Sequence, residues 1–289
     1  MIWSVVSKAE MEGSPISPVF KYYKEVLGKN NISLAVIDEK DPLDFVKNGD
    51  VVFLRDTYKS IIDTIHKRGF VSTAEKYEQY RLVGDKFELW RKLEKHNIPM
   101  PSQITFNDIC DGDRYFVKPR HGTDSLGIDE HNICSSVSEV MCQIKKISEL
   151  LNDDSVIEEY IDGIDCTVAC YRTPNPSIIK CHPIEVHCDT IGGVQTYKGK
   201  FDCDEYCCVP DSHTANRLID ICKIIFEVLG ISHYARIDFR KKSNGEVYLI
   251  DINLLPGPGP VDHFAKCLLL TENISYRDSM LAMINSASI

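Results

Sequence analysis

Positive charge, long apolar runs and signal-like segments are all scarce in this chain of 289 residues. Lys and Arg total 33 against 43 Asp and Glu, which gives a formal charge of −10. This balance argues against nucleic acid or an anionic membrane as the main partner, although a local basic site for phosphates stays compatible with it. No apolar run reaches the length of a membrane span, and residues 1–8 lack the features of a signal peptide. We therefore expect a cytoplasmic protein.

Cysteine motifs are also missing, although the chain has 12 cysteines. No Cys-x-x-Cys occurs, and the clustered cysteines are Cys166, Cys170, Cys203, Cys207 and Cys208. Without a second pair at zinc spacing, this pattern does not favour a structural zinc site. A chain of this length also needs no disulfide framework, so reduced and mostly buried thiols are expected.

The composition, 43% hydrophobic and 26% charged, is that of a globular protein with a sizeable core. Strand and helix patterns alternate up to about residue 84, which predicts an α/β domain with a parallel sheet. A helix opening at 85–98 starts a second part, 85–161, and a third part, 162–289, contains further strands and a long helix. The irregular stretch 187–210 is long for a loop inside a compact domain, which is typical of functional loops.

The strongest local signal is an Asn-Gly pair between two alternating apolar runs. Asn244 and Gly245 separate residues 235–239 from residues 247–253. Such a pair favours a β-hairpin with a type I′ turn, which needs positive φ at both central residues. Placing the turn there fixes which residues of the two strands face each other.

That register gives the hairpin one polar face and one apolar face. The facing pairs are Asp238 with Asp251, Arg236 with Asn253, Ile237 with Ile252, and Phe239 with Ile250. Cross-strand partners lie about 5 Å apart, where like charges repel, so facing carboxylates indicate a compensating cation. Asp238, Asp251 and Asn253 are therefore candidate ligands for Mg²⁺ or Mn²⁺, which prefer oxygen. The alternative is an ordinary hairpin with a slipped register and a solvated acidic face.

Two further segments carry groups suited to a nucleotide. Lys118 ends an apolar strand before a glycine-containing loop, in which the hydroxyls of Thr123 and Ser125 can approach phosphate oxygens. The loop is not a Walker motif, because the lysine precedes the glycines. Residues 158–165 place acceptors and an aromatic ring beside a turn, as an adenine and ribose site needs. Each segment alone is also compatible with a purely structural role.

Taken together, these segments resemble the ATP-grasp superfamily, and in particular the D-alanine–D-alanine ligases and other amino-acid ligases of that group. The resemblance covers about residues 85–260 and rests on five motifs in family order: 85–86, 117–119, 158–163, 235–238 and 250–257. It implies a fold of mixed α/β and α+β class. In that fold an N-terminal α/β domain (1–84) precedes two α+β units (85–161 and 162–289) that clamp ATP.

The resemblance also implies roles for individual residues. Lys86 and Lys118 correspond to the lysines that hold ATP phosphates, and Glu158, Tyr160 and Ile161 to the adenine-side hinge. Asp165 takes the position of the ribose-binding glutamate, and Asp238, Asp251 and Asn253 take those of the magnesium ligands. Arg236 and Gly257 resemble the groups that stabilise the acyl phosphate and the tetrahedral intermediate. Lys200 matches the lysine of a loop that closes over the phosphates, which gives the 187–210 stretch a lid role.

Departures from the family pattern concern mainly the substrates. Asp165 and Asp251 stand where glutamate is usual, Phe201 where tyrosine is frequent, and residues 258–263 replace a serine-containing segment near the second substrate. Glu10 or Glu12 is a candidate partner for a substrate ammonium, although a solvated loop acid is the commoner case.

The leading hypothesis is an ADP-forming ligase acting on a small-molecule carboxylate and an amine, with ATP and Mg²⁺ or Mn²⁺ as cofactors. We include a homodimer among the expectations. The alternatives are a small-molecule kinase on the same fold, which would want a basic acceptor pocket, and a non-catalytic nucleotide-binding protein.

Overall fold

A computed structural model of the protein describes residues 1–8, 18–122, 127–188 and 205–287, with only the backbone described for 18–23. Within these ranges the strands form three separate sheets, of four, three and five strands. None of the helices in the described ranges combines the length and the apolarity that a membrane span requires.

The first sheet is parallel and lies within residues 1–84. Its order is β2-β1-β3-β4, and its strands are β1 (Ile2–Ser7), β2 (Ile32–Ile37), β3 (Val51–Arg55) and β4 (Val71–Ser72). The helices of this part are α1 (Pro18–Lys29), α2 (Lys59–Arg68) and α3 (Tyr77–Gly84). The alternation of strands and helices therefore predicted the parallel sheet correctly.

The second sheet is antiparallel, has the order β6-β5-β7 and lies within residues 85–161. Its strands are β5 (Tyr115–Pro119), β6 (Ile133–Cys134) and β7 (Ser155–Glu159), and its helices are α4 (Lys86–Leu93) and α5 (Val137–Leu151). Asp85 caps α4 by accepting from the backbone N–H groups of Phe87 and Glu88, each at 3.1 Å. Short 3₁₀ turns at Glu94–His96, Phe106–Asp108 and Glu130–Asn132 connect these elements.

The third sheet lies within residues 162–289 and has the order β10-β9-β8-β11-β12. Its strands are β8 (Ile164–Arg172), β9 (Ile179–Cys188), β10 (Glu205–Cys208), β11 (Tyr234–Lys241) and β12 (Val247–Asn253). Its helices are α6 (Ser212–Leu229), α7 (His263–Glu272) and α8 (Tyr276–Asn285). Helix α6 packs on one face, where Leu218 and Ile221 join Cys166 and Phe239 in a buried cluster. Helices α7 and α8 cover part of the other face.

The hairpin β11–β12 confirms most of the predicted register. Asp238 faces Asp251, Arg236 faces Asn253 and Ile237 faces Ile252. The pairing of Phe239 with Ile250 was wrong, because Phe239 faces Leu249. Ile250 is thus an extra residue in β12, a β-bulge that lets two consecutive side chains, Ile250 and Asp251, reach the same cleft.

The bulge follows from a turn that differs from the predicted type I′. Gly245 has φ +87°, but Asn244 is not among the residues with positive φ. The Gly245 N–H donates to the Lys242 carbonyl at 2.9 Å, and the Lys242 N–H to the Glu246 carbonyl at 2.8 Å. This is the three-residue hairpin loop in which glycine takes the left-handed position. It moves the pairing near the turn by one residue, and the bulge at Ile250 restores the predicted register at Asp251.

Three side chains from residues 55–79 hold this part of the chain against the third sheet. Arg55 donates to the Tyr234 hydroxyl at 3.2 Å, and Gln79 donates to the Leu229 carbonyl at 3.1 Å. Glu75 accepts from the backbone N–H groups of Ser232 at 2.7 Å and His233 at 2.9 Å. Burial is the main cause that raises the pKa of Glu75 to about 7.

Glu75 is expected to make stability fall as the pH rises. A carboxyl group that binds its proton more tightly in the folded state contributes stability fully below its unfolded pKa, ordinarily 4.5, and loses that contribution as the pH rises to about 7. The difference corresponds to roughly 3 kcal/mol in the free energy of unfolding. Glu75→Gln keeps the acceptor and should remove this part of the pH dependence, as measured by urea unfolding between pH 4.5 and 8. Glu78→Gln, an exposed neighbour on α3, is the control. Identical pH profiles for Glu75→Gln and the wild type would contradict the assignment.

Candidate active site

A cleft between the second and third sheets collects side chains from both. The sequence-predicted site residues that line it are Lys86, Lys118, Glu158, Tyr160, Ile161, Asp165, Arg236, Asp238 and Asp251. They come from β5, from β7 and the two residues after it on one side, and from β8, β11 and β12 on the other, with Lys86 at the start of α4. The fold therefore brings distant sequence motifs into one cleft.

The facing carboxylates Asp238 and Asp251 form the acidic centre of this cleft. Arg236 Nε lies 3.1 Å from both oxygens of Asp238, Arg236 Nη2 lies 2.8 Å from Oδ2, and the Thr167 hydroxyl also donates to Asp238. Burial opposes the ionisation of Asp238, but Arg236 and Thr167 together outweigh it and hold its pKa below the ordinary value. Asp238 is therefore ionised at neutral pH, with its charge balanced by Arg236.

Asp251 has no such partner in the described part of the chain. No hydrogen bond or ion pair to its carboxylate forms there, and burial raises its pKa, an effect that Lys86 opposes and the facing Asp238 reinforces. A hard divalent cation would supply the missing positive charge, and carboxylate oxygens are its preferred ligands. The side chains present thus fit a magnesium ion at Asp238 and Asp251.

Asn253, the third predicted ligand, accepts a hydrogen bond from the backbone, unlike Asp251. Its Oδ1 accepts from the backbone N–H of Leu255 at 2.8 Å, and the residue is buried. A carbonyl oxygen has a second lone pair, so this bond orients the amide without using all of its acceptor capacity. Coordination of a metal by Asn253 stays a prediction.

The two predicted phosphate lysines are held in place by the protein. Lys118 Nζ lies 2.8 Å from Glu158 Oε2, in an ion pair whose side chains are both 8% exposed, and 3.1 Å from the Ile250 carbonyl at the bulge. Gln103 donates to the other Glu158 oxygen at 3.0 Å. Glu158 therefore neutralises and positions Lys118 on the cleft wall, a contact that the predicted hinge role did not include.

Lys86 completes the basic side of the cleft. Its Nζ donates to the Gly122 carbonyl at 2.7 Å, and burial lowers its pKa, an effect that Asp251 opposes and Lys118 reinforces. A polyanion bound between Lys86 and Lys118 would favour their charged forms. The cleft is thus electrostatically suited to phosphates.

The hinge side of the cleft contains Tyr160, Ile161 and Asp165. The Arg114 guanidinium lies 4.1 Å from the centre of the Tyr160 ring, and Arg240 donates to the Ile161 carbonyl at 3.3 Å. Arg240 Nη1 also lies 2.8 Å from Asp165 Oδ1, and burial raises the pKa of Asp165 although Arg240 opposes that shift. Asp165 faces the cleft as an acceptor oriented by Arg240, and its contact with a ribose stays a prediction.

Gly257 lies on the loop after β12, outside the lining of the described cleft. A Cβ at Gly257 would lie 2.4 Å from Asp262 Oδ1, so a larger residue would displace that carboxylate. The same loop is held from the first sheet, because Arg55 Nη2 donates to the carbonyls of Leu255 at 3.2 Å and Pro256 at 2.8 Å. The backbone here is fixed by contacts from two parts of the chain.

A family model described as "D-ala D-ala ligase C-terminus" matches residues 85–285. The chain belongs to this family. The match confirms the predicted resemblance. Its range includes the acidic residues Asp238 and Asp251 and the basic residues Lys86 and Lys118 of the cleft.

Curated relatives of the family match over shorter stretches. The D-alanine–D-alanine ligase of Aquifex aeolicus is 25% identical over 143 residues, which are 49% of this chain and 45% of that protein. The D-alanine–D-alanine ligase of Geobacter sulfurreducens is 24% identical over 191 residues, or 64% of this chain and 57% of that protein. The matched segments thus span about half the length of these relatives.

The crystal structure of D-alanine–D-alanine ligase from Bacillus anthracis complexed with ATP superposes with a TM-score of 0.74 at 18% identity. It covers 99% of this chain and 96% of that one. At this identity the likeness establishes the fold, and it confirms the predicted ATP-grasp architecture.

Several predicted residues of the family pattern lie outside the described residues. They are Thr123 and Ser125 of the phosphate loop, Lys200 of the lid segment, and the candidate ammonium partners Glu10 and Glu12. Their roles remain predictions.

The structure adds site residues that the sequence reasoning missed. Thr167 and Arg240 line the cleft, as does Ile250. Strand alternation could have predicted two of them. Thr167 lies two residues after Asp165, and Arg240 lies two residues after Asp238, a spacing that puts side chains on the same face of a strand. Ile250 gave no such signal, since a regular hairpin would point it into the core.

His263, at the start of α7, is a further addition to the cleft. Its Nε2 lies 2.9 Å from Glu205 Oε1, which Lys266 also contacts at 2.8 Å. Burial opposes the ionisation of Glu205, but His263 and the other donors pull its pKa well below the ordinary value. His263 thus connects the cleft to Glu205 and Lys266, and it belongs to residues 258–263, where this chain departs from the family's serine-containing segment.

Proposed function

We propose that this chain is an ATP-dependent carboxylate–amine ligase that forms an amide or peptide bond through an acyl phosphate and releases ADP and phosphate. The observation that carries the proposal is the placement of the facing carboxylates Asp238 and Asp251 in one cleft with Lys86 and Lys118. Membership of the ligase family supports the reaction class.

ATP would bind with its phosphates toward the lysines and its base toward the hinge. Lys86 and Lys118 contribute charge-assisted hydrogen bonds to phosphate oxygens. Ile161 and Ile250 offer an apolar wall for the base, and Asp165 offers an acceptor to the ribose hydroxyls. This orientation places the γ-phosphate near Asp238 and Asp251.

The first chemical step brings two anions together, since a substrate carboxylate oxygen attacks the γ-phosphorus as the bond to ADP breaks. Magnesium held by Asp238 and Asp251, with Asn253 as the predicted third ligand, would neutralise phosphate charge. Lys86 and Lys118 stabilise the same transferring group, and Arg236, oriented by Asp238, offers its guanidinium to the substrate side. The acyl phosphate then carries a good leaving group.

In the second step an amine nitrogen attacks the activated carbonyl carbon, and phosphate leaves. The oxyanion that forms needs donors already in place, and Arg236 and the backbone near Gly257 are the groups proposed for it. Lys200 is proposed to close over the phosphates and exclude water, which would otherwise hydrolyse the acyl phosphate.

Amino acids or small peptides are the proposed substrates. His263 belongs to residues 258–263, the segment that the family resemblance assigns to the second substrate, and it contacts Glu205, which Lys266 also contacts. Because residues 258–263 differ from the usual serine-containing segment, we do not favour D-alanyl-D-alanine over another amino-acid or peptide product.

The products distinguish the proposed reaction from its alternatives. Purified protein is incubated with ATP, Mg²⁺ and pooled amino acids, and nucleotides, phosphate and new amides are quantified by chromatography and mass spectrometry. We expect ADP, phosphate and amide in equal amounts, only when acid and amine are both present, and a hydroxamate when hydroxylamine replaces the amine. Omission of each substrate in turn is the control. AMP with pyrophosphate, or a stable phosphorylated product without amide, would refute the ligase proposal.

A further inference from the structure

The edge hairpin formed by β9 and β10 carries a cluster of three different metal-ligating side chains. Glu185 and His187 lie two residues apart on β9, and Cys208 of β10 is the direct cross-strand partner of Glu185. His187 Nε2 lies 3.2 Å from Glu185 Oε2 and 3.7 Å from Cys208 Sγ, and Cys208 Sγ lies 3.8 Å from Glu185 Oε2. The three atoms form a triangle with one vertex from each side chain.

This triangle has the size of one face of a tetrahedral zinc site. Zinc binds nitrogen and carboxylate oxygen at about 2.0–2.2 Å and thiolate sulfur at about 2.3 Å, so ligand atoms in a tetrahedron lie roughly 3.3–3.6 Å apart. The observed separations come within a few tenths of an ångström of these values. A metal ion could take this position with small side-chain adjustments.

The surroundings of the cluster orient its ligands. Lys241 forms an ion pair with the other oxygen of Glu185, Oε1, which leaves Oε2 directed at His187 and Cys208. Such an outer contact fixes a metal-binding carboxylate without occupying its ligand atom. The His187 side chain is 40% exposed, so solvent can reach the fourth position.

The cluster lies on the face of the third sheet that is opposite to the cleft. Glu185 forms an ion pair with Lys241, which shares a face of β11 with Phe239 in the cluster that packs with α6, whereas its neighbour Val186 lines the cleft. A metal at this cluster would thus be separate from one at Asp238 and Asp251. It would link β9, which ends before residues 189–204, to β10, which begins after them.

A second cluster, formed by two residues of β10 and one of α7, provides a comparison. Glu205, Cys207 and His263 also lie close together, but one oxygen, Glu205 Oε1, accepts from His263 at 2.9 Å, Cys207 at 3.0 Å and Lys266 at 2.8 Å. Lys266 already supplies a positive charge at that oxygen, and the distances are those of hydrogen bonds. This cluster is satisfied without a metal.

We propose that Glu185, His187 and Cys208 bind a divalent transition metal of the zinc type, with water as the fourth ligand. Mixed thiolate, imidazole and carboxylate ligands select such ions over Mg²⁺. The thiol would release its proton to solvent on binding, so affinity should rise with pH.

Cobalt(II) is the spectroscopic probe for this site, because a cysteine thiolate bound to it gives a near-ultraviolet charge-transfer band. The protein is prepared in a Cys110→Ser/Cys142→Ser background, which removes two exposed thiols, and is titrated with Co²⁺ and then with Zn²⁺. We expect one equivalent of Co²⁺ to give the band and Zn²⁺ to displace it. Cys208→Ser should abolish the band, and His187→Ala should weaken binding by at least about tenfold, since loss of a ligand costs no less than loss of an outer contact.

Cys207→Ser is the matched control, because Cys207 is the adjacent residue and belongs to the comparison cluster. It should keep the band and the affinity. Zn²⁺ should also raise the unfolding temperature of the Cys110→Ser/Cys142→Ser parent and of Cys207→Ser, and it should raise that of His187→Ala by less. Absence of a stoichiometric band in the parent, retention of the band in Cys208→Ser, or its loss in Cys207→Ser would overturn the proposal.

Discussion

Asp251→Asn is expected to lower turnover by at least about a thousandfold while the protein stays folded. Removal of a carboxylate that helps to hold the metal takes away several kcal/mol of stabilisation at the transferring phosphate, and each 1.36 kcal/mol is a factor of ten in rate. In the protein without metal, the same change relieves the repulsion between Asp251 and Asp238 and the cost of a charge that burial disfavours. Stability without Mg²⁺ should therefore hold or rise.

The measurements are kcat with saturating ATP and Mg²⁺, and thermal unfolding with and without Mg²⁺ and ATP. The wild type should unfold at a higher temperature in the presence of both ligands, and Asp251→Asn should lose most of this shift. Glu246→Gln, at the exposed turn of the same hairpin, is the control and should behave as the wild type. Near-normal turnover in Asp251→Asn would refute the proposed metal role.

Lys118→Met is expected to reduce both stability and nucleotide affinity. It leaves Glu158 as a buried charge without its partner, which costs about 3–5 kcal/mol in the free energy of unfolding. It also removes a charge-assisted phosphate contact worth about 1.5–3 kcal/mol, or roughly ten- to a hundredfold in the dissociation constant for ATP. The single variant therefore combines two effects.

The double variant Lys118→Met/Glu158→Gln separates them. Because it removes both charges of the pair, it should regain most of the lost stability, as measured by urea unfolding. Its ATP affinity, measured by calorimetry, should be no higher than that of Lys118→Met, because Glu158 is itself a predicted hinge residue. Recovery of ATP affinity together with stability would show that Lys118 acts through the fold and makes no direct phosphate contact.

The sequence predicted those parts of the fold that depend on local pattern. The pairing of Asp238 with Asp251 followed from an Asn-Gly turn between alternating strands, and β5 and α5 followed from apolar runs and helix periodicity. The turn type and the bulge at Ile250 were not predictable in this way, because a three-residue loop and a compensating bulge give the same register at Asp251 as a two-residue turn does.

The ion pairs between residues that are distant in the chain could not be predicted from the sequence either. Arg240 pairs with Asp165, and Lys118 pairs with Glu158, only because particular strands are neighbours in a sheet. The cluster at His187 has the same origin, since Cys208 is 21 residues away on another strand and no spacing motif connects them. Motif order identified the nucleotide cleft because the resemblance already included its three-dimensional arrangement.

Some expectations remain predictions. The three sheets lie one in each of the ranges 1–84, 85–161 and 162–289, and the division into domains at those boundaries remains a prediction. Three further expectations also remain predictions: the homodimer, the cytoplasmic location and the individual roles of the site residues.

The family match starts at residue 85, yet the hydrogen bonds of Arg55, Glu75 and Gln79 extend across that boundary. A fragment that began at residue 85 would leave the carbonyls of Pro256 and Leu229, and the N–H of Ser232, without these partners, and buried polar groups rarely stay unpaired in stable proteins. We therefore expect a fragment that starts at residue 85, where the family match begins, to be less stable than the whole chain. Chimaeras that exchange the first 84 residues between relatives would have to transfer these three contacts together with the receiving loops.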